Sequence, residues 1–329
     1  MQNDLTLTQA PAPPWRVKFD RRAKDRLARR AFFLVSLVPV LLLLAVVTAL
    51  LVKSWPILQA ESPWKLLSGT IWQPLKGAFG FFPFIAGTMW VTLVSMALAV
   101  PPCLLTAIYL AEYARTRTRE IAKPVLDLLA AIPSVVYGVW GILAIVPAVQ
   151  RLGPLLDQAL GFIPFFRDTN PTGYSVLAGS IVLAVMVTPF IIAVTFEVLR
   201  TVPSGVREAS LAMGATRWQT IRHAVLPHTR AGIIAGVVLG MSRSLGETMA
   251  VLMVVGNVAK VPSSIFDPAY PLPALIANNY GEMMSIPLYD SALMTAALLL
   301  LVIVLFFNIL ATLFLQRIKR TSKVSPAVQ

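Results

Sequence analysis

Arg243 and Glu247 lie four residues apart in the stretch Ala231 to Val255, which is otherwise uncharged. On a helix this spacing puts both on one face. A guanidinium presents a planar fork that matches tetrahedral oxyanions and stays charged at any relevant pH, and a carboxylate one turn away can steady it. Arg243 is about twelve residues, roughly 18 Å of helix, from each end of the stretch. In hydrocarbon such groups cost several kcal/mol unless paired or wet, so they mark a route for a charged solute or a buried ion pair that fixes helix packing. Gly232, Gly236, Gly240, Ser244 and Thr248 form a stripe of small residues at four-residue spacing, which lets helix backbones approach closely. Gly236, Gly240, Arg243 and Glu247 share a sector about 60° wide, so both charges are expected at the helix contact, away from lipid.

Other chemistry is poorly supplied. The chain has no G-x-x-x-x-G-K-[ST] loop and no Gly-Lys pair, so it cannot cradle and hydrolyse ATP in the P-loop manner. His223 and His228 have no nearby carboxylate cluster, and nucleophile–base constellations are absent, which argues against an enzyme. Cys103, the single cysteine, excludes an intrachain disulfide and a cysteine-based metal site and reads as a small packing residue. Asp127 reads as structural, in the first turn of a helix begun by Pro124 and one turn from Lys123. Glu197, three residues before Arg200 at a helix end, reads the same way.

The elements that position Arg243 and Glu247 are membrane spans. In 329 residues, 57% are hydrophobic and 13% charged, too much apolar surface for a soluble core. Six runs are long enough to cross about 30 Å of hydrocarbon: Ala31 to Val52, Phe84 to Ala111, Pro124 to Val149, Val176 to Leu199, Ala231 to Val255 and Ser291 to Gln316. The expected fold is an all-α polytopic membrane protein of six transmembrane helices. The first run is too long for a signal-peptide core and is expected to be retained. Prolines at Pro39, Pro101, Pro102, Pro133, Pro147 and Pro189 mark kinks.

The net charge of +13 follows topology. Of 28 Lys and Arg residues, 21 fall before the first span, between spans two and three, between four and five, and after the sixth; the other three loops hold six, and Arg243 is left over. By the positive-inside rule both termini are cytoplasmic. Met1 to Pro14 is polar and proline-containing and is expected to be disordered. The basic segment Trp15 to Arg30 reads as a solvated topology signal or an anchor on the anionic inner leaflet. Trp55, Trp64 and Trp72, on the outward side, suit an aromatic belt, with docking of an extracytoplasmic partner as the alternative.

The cytoplasmic connection 203–227 carries dense local signals. Ser204 is placed to cap a short helix through Ala212, Gly214 to make a turn, and Thr216 with Gln219 to form a capping box for a second helix ending before Pro227. A DNA-binding helix-turn-helix is discounted because both ends are tethered to spans.

The run Glu208, Ala209, Ser210, Gly214, Leu226, Pro227 resembles the EAA loop of ABC importer permeases, with Ser210 in place of the third alanine and Ala224 in place of an isoleucine. The resemblance implies a fold like that of the type I ABC importer permeases, in which the loop between spans four and five forms a coupling helix that docks on the ATPase. The implied coupling residues are Arg207, Glu208, Ala209, Ser210, Gly214 and Ala215. Further matches are Ala107-Ile108-Tyr109-Leu110 with Glu112-Tyr113, Leu129-Ala130-Ala131-Ile132-Pro133-Ser134 with Val136-Tyr137-Gly138, and Ser244 to Val251 with Gly256-Asn257. These resemble the phosphate-specific branch, the PstC family, from about Gly87 to Asn257. In that branch the arginine and glutamate corresponding to Arg243 and Glu247 are tied to substrate passage.

The resemblance implies a permease subunit of an ATP-driven phosphate importer in the bacterial inner membrane, working by alternating access. Implied partners are a homologous second permease of the PstA type, two ATP-binding subunits of the PstB type and an extracytoplasmic phosphate-binding protein of the PstS type. No cofactor is expected in this chain, ATP and Mg being bound by the ATPase subunits. The expected organisation is a basic cytoplasmic segment 1–30, a permease domain 31–316 with its core from about 84, and a cytoplasmic tail 317–329. Alternatives are an ABC permease for sulfate, molybdate or another oxyanion, and a secondary anion transporter, for which an EAA loop has no use.

Overall fold

The structure is a computed structural model and describes residues 21–167, 170–282 and 285–323. The chain divides into two units, Met1–Ala49 and Leu50–Gln329. In the first, the described residues begin α1 (Arg21–Ala60), a 40-residue helix. Its stretch from Ala31 to Ala49 carries no charged residue, and a helix apolar on all sides over that length is suited to lipid. Of the basic segment Trp15 to Arg30, the residues from Arg21 on are helical and belong to α1. Residues 1–20, including the stretch read as disordered, lie outside the described residues.

The second unit carries the end of α1 and the helices that build the site. Following α1 are α2 (Pro63–Ser68), a two-stranded antiparallel hairpin of β1 (Trp72–Gln73) and β2 (Ala78–Phe79), and α3 (Phe82–Ile108). Next come α4 (Thr116–Ala131), α5 (Ser134–Trp140), α6 (Val146–Leu160) and α7 (Val176–Arg200). The connection holds α8 (Ser204–Ala212) and α9 (Arg217–Thr220), and the chain closes with α10 (Leu226–Leu245), α11 (Met249–Leu252), α12 (Leu272–Asn279) and α13 (Tyr289–Lys323). Among the described residues six helices are long and apolar enough to span a membrane: Lys24–Ala60, Phe82–Tyr113, Ser134–Leu160, Val176–Arg200, Arg217–Leu245 and Tyr289–Leu313.

Helix α7 is the most deeply packed, with Val182, Val187, Ile191 and Leu199 fully buried. The glycine stripe of α10 lies along it: a Cβ at Gly232 would meet Val198 at 2.5 Å, one at Gly236 would meet Val194 at 2.9 Å, and one at Gly240 would meet Ile191 at 2.8 Å. Glycine is what lets these backbones approach so closely.

Two spans differ from the sequence expectation. The third begins at Ser134, not Pro124, because Ile132 adopts extended geometry before Pro133 and ends α4, a residue before proline being disfavoured in the helical region. Asp127 therefore belongs to α4, a helix with no buried residue, and Lys123 pairs with Glu197 at 3.3 Å. Arg200 lies over the Phe196 ring instead of pairing with Glu197. The fifth span does not run on to Val255. Its helix stops at Leu245, and Gly246 to Thr248 form a break before α11.

Two π turns relieve prolines. One at Gly141–Ile145 precedes Val146-Pro147, and one at Ile221–Val225 precedes Leu226-Pro227. A proline ring clashes with the carbonyl four residues back, and each wider turn contains that carbonyl, Leu143 or His223. Pro227 thus continues the fifth span, and the second loop helix runs into α10 rather than ending before it.

Trp55 and Trp64 are well exposed, as a belt requires. Trp72 instead meets Phe79 and Phe84 edge-on at 5.5 and 5.0 Å and also contacts Phe81 and Tyr289, tying the hairpin to α3 and α13.

Candidate functional site

Arg243 is in the last turn of α10, where a cation complements the negative end of the helix dipole. Its depth can be read against α7, whose 25 residues extend about 37 Å. The guanidinium lies over the ring of Phe190, 5.7 Å from its centroid. Phe190 is fourteen residues from Val176 and ten from Arg200, near the middle of α7. Arg243 is therefore at mid-span even though its own helix ends two residues later. Non-helical backbone at such depth is tolerated where protein covers it or where it lines a wet cavity.

Glu247 is beyond the helix break and does not reach Arg243: among the described residues no ion pair or hydrogen bond joins Arg243 to a carboxylate. Its Oε1 instead accepts the backbone N–H of Ala250, in the first turn of α11, at 3.3 Å. The expected i, i+4 pair is absent because Gly246 ends the helix between the two residues. Nor does Arg243 point into the α7–α10 glycine contact. It is exposed on this chain, with Phe190 beside it, while Gly240 and Ser244 are buried. The Tyr137 hydroxyl of α5 donates to Leu129 O at 2.8 Å.

The second locus is the loop helix pair. Gly214 has φ +83°, a conformation costly for side-chain-bearing residues, and makes the turn between α8 and α9. Thr216 and Gln219 form the expected capping box: Gln219 N donates to Thr216 Oγ1 at 3.3 Å, and Thr216 N donates to Gln219 Oε1 at 2.8 Å. Ser204, expected as a cap, is the first helical residue, and Pro203 takes the cap position without a side-chain bond. Ser210 is hydroxyl-bonded to Thr220 at 3.0 Å, joining α8 to α9.

The six residues assigned to the loop divide by direction. Glu208, Ala209 and Gly214 are exposed, together with Leu211, Trp218 and Met213, the last 89% exposed. Ser210 and Ala215 are half-buried. Arg207 turns inward: Nε lies 3.2 Å from both carboxylate oxygens of Glu112 and Nη2 is 2.7 Å from Oε1, while Nη1 donates to Val202 O at 2.6 Å and Nη2 to Leu199 O at 3.0 Å. Glu112 is buried in a π turn, Tyr109–Tyr113, at the end of the second span. No short-range pattern announces a partner 95 residues away.

A six-helix membrane unit with a tethered helix pair between spans four and five is one arrangement of an importer's membrane subunit. The family model for binding-protein-dependent transport system inner membrane components matches residues 103–320. The chain belongs to that family. This inner-membrane component is 34% identical to the phosphate transport system permease protein PstC of Haemophilus influenzae over 307 residues, 92% of this chain and 96% of that protein. It is 38% identical over 251 residues to the probable ABC transporter permease protein YqgH of Bacillus subtilis, covering 76% of each. A solved structure of a bacterial ABC transporter involved in import of the acidic polysaccharide alginate aligns with a TM-score of 0.51 at 17% identity. That alignment covers 88% of this chain and 98% of the other and is a likeness of fold alone. As a permease component of an ABC importer, the chain is a transport subunit working with an ATPase and a binding protein.

Proposed function

We propose that this chain is the phosphate-conducting permease subunit of an ATP-driven importer. The observation that carries the reading is Arg243: a mid-span cation, exposed on the isolated chain, with an aromatic face but no carboxylate beside it. An unpaired guanidinium at that depth is poorly placed against lipid and well placed for a tetrahedral oxyanion in a wet pathway shared with a second permease. Relatives named as phosphate transport permeases, aligned over most of this chain, favour phosphate among the oxyanions.

In this reading both termini are cytoplasmic, and residues 31–316 form the permease domain between a basic segment 1–30 and a tail 317–329. A PstS-type protein delivers phosphate to the outward loops. ATP and Mg bind two PstB-type subunits, whose closure drives the coupling helices of this chain and a PstA-type partner together. The outer face of α8, with Glu208, Ala209 and Met213, meets the ATPase, while Arg207, Ser210 and Ala215 hold that face in place. Arg243 gives the anion a transient resting point. Glu247 keeps the break between α10 and α11 open and can accept a hydrogen bond from a protonated phosphate.

The test is the complex reconstituted in liposomes with its cognate binding protein. Phosphate, but not sulfate or molybdate, should stimulate ATP hydrolysis and accumulate inside. Stimulation by sulfate or molybdate alone would change the cargo and leave the importer class intact.

A further inference from the structure

The contact between Arg207 and Glu112 joins three elements at one point. Arg207 belongs to α8, Glu112 lies at the end of the second span, and of the two carbonyls Arg207 also binds, Leu199 is in the last turn of the fourth span and Val202 just beyond it. The π turn bearing Glu112 is held from its other side by Arg119 of α4, whose Nε donates to Leu110 O at 2.8 Å and Nη2 to Ala111 O at 2.7 Å. The Glu112 side chain is 8% exposed and that of Arg207 24%.

Packing alone does not call for charges here, since apolar side chains of similar volume often hold such a contact as well as a buried ion pair. What the pair adds is direction. A guanidinium fork on a carboxylate, with two further donors on carbonyls, fixes both the position and the rotation of α8 relative to the ends of two spans. One of those spans, α7, carries Phe190, against which Arg243 rests. The route from the exposed face of α8 to Arg243 is thus one clasp and one helix.

We propose that Glu112 is a positioning residue for transport: through Arg207 it converts movement of α8 into movement of the second and fourth spans. This rests on the coupling role proposed for α8 above.

The experiment uses the complete importer in proteoliposomes with phosphate-loaded binding protein, measuring phosphate taken up per ATP hydrolysed. Glu112→Gln keeps the shape and an acceptor but removes the charge. The expected result is a complex that still carries its ATPase subunits and hydrolyses ATP, with phosphate moved per ATP lower by roughly fivefold or more. Arg207→Lys, which keeps charge but not the fork, should fall between this variant and wild type. An unchanged ratio in either variant, with only less complex assembled, would mean that the pair merely stabilises the fold and would overturn the proposal. Met213→Glu, on the outer face of α8, separates the two readings. If it leaves ATPase attachment and transport intact, the coupling role of α8 fails, and the positioning role of Glu112 falls with it. If it detaches the ATPase while Glu112→Gln leaves the ratio at wild type, only the positioning role fails.

Discussion

Arg243 and Phe190 meet at mid-span, the guanidinium 5.7 Å from the ring centroid. Such a contact is worth about 0.5–2 kcal/mol, depending on how far it is desolvated, and it holds the cation without neutralising it. Arg243→Met should therefore abolish phosphate uptake while the complex still assembles. Arg243→Lys should be poorer than wild type because an ammonium lacks the bidentate fork. The double variant Arg243→Met with Glu247→Leu should stay inactive. Uptake at matched membrane levels is the measurement, and near-normal transport by the double variant would remove the cation from the pathway.

Glu247 makes a different prediction, because its contact is with a backbone N–H. Glu247→Gln keeps an acceptor for Ala250 and should preserve membrane level and thermal stability. Glu247→Ala loses that bond to the first turn of α11 and should be destabilised by about 1 kcal/mol. If both lose uptake equally in a stable complex, the carboxylate charge serves passage as well as structure.

Gly214 should not tolerate a side chain, although the space around it is open: nothing lies within 4 Å of a Cβ there. The obstacle is its φ of +83°. Gly214→Val should leave the chain in the membrane but lower ATPase copurification and transport together. Gly214→Asn, better suited to that conformation, should retain more of both.

At Gly240 the obstacle is the neighbour. A Cβ would meet Ile191 at 2.8 Å, so Gly240→Val must push α10 from α7, an overpacking cost of about 1–3 kcal/mol. A fall in the thermal stability of the purified complex, partly relieved by Ile191→Ala, is the expected result.

Topology can be read by labelling. Cysteines at Thr116 and at Leu75 are both at exposed positions, the latter 83% exposed. With Cys103 buried and replaced by alanine, an impermeant external reagent should label position 75 and not 116. External labelling at 116 would reverse the orientation.

The sequence was most legible where its signals are local. Gly214 and the Thr216–Gln219 box each act within four residues, and both form as expected. The glycine stripe was equally legible, because four-residue spacing marks one helix face. Two boundaries were misread for a common reason: an apolar run shows that a segment is in the membrane without showing that it is one helix. Pro124 looked like a helix start, yet Pro133 was the stronger signal for where the third span begins. The break after Leu245 had only Gly246 to mark it. The Arg207–Glu112 clasp had no legible signal, since it depends on the tertiary approach of distant segments.

The exposure of Arg243 also bears on biogenesis. A lone guanidinium presented to acyl chains costs about 2.5–3.5 kcal/mol on insertion scales, and a subunit that seats over it removes that cost. Binding only the inserted form, such a subunit stabilises it by mass action. If the second permease proposed above is that subunit, the abundance of this chain in the bilayer should follow that of the partner, giving the cell a means of matching the two without separate control of their synthesis.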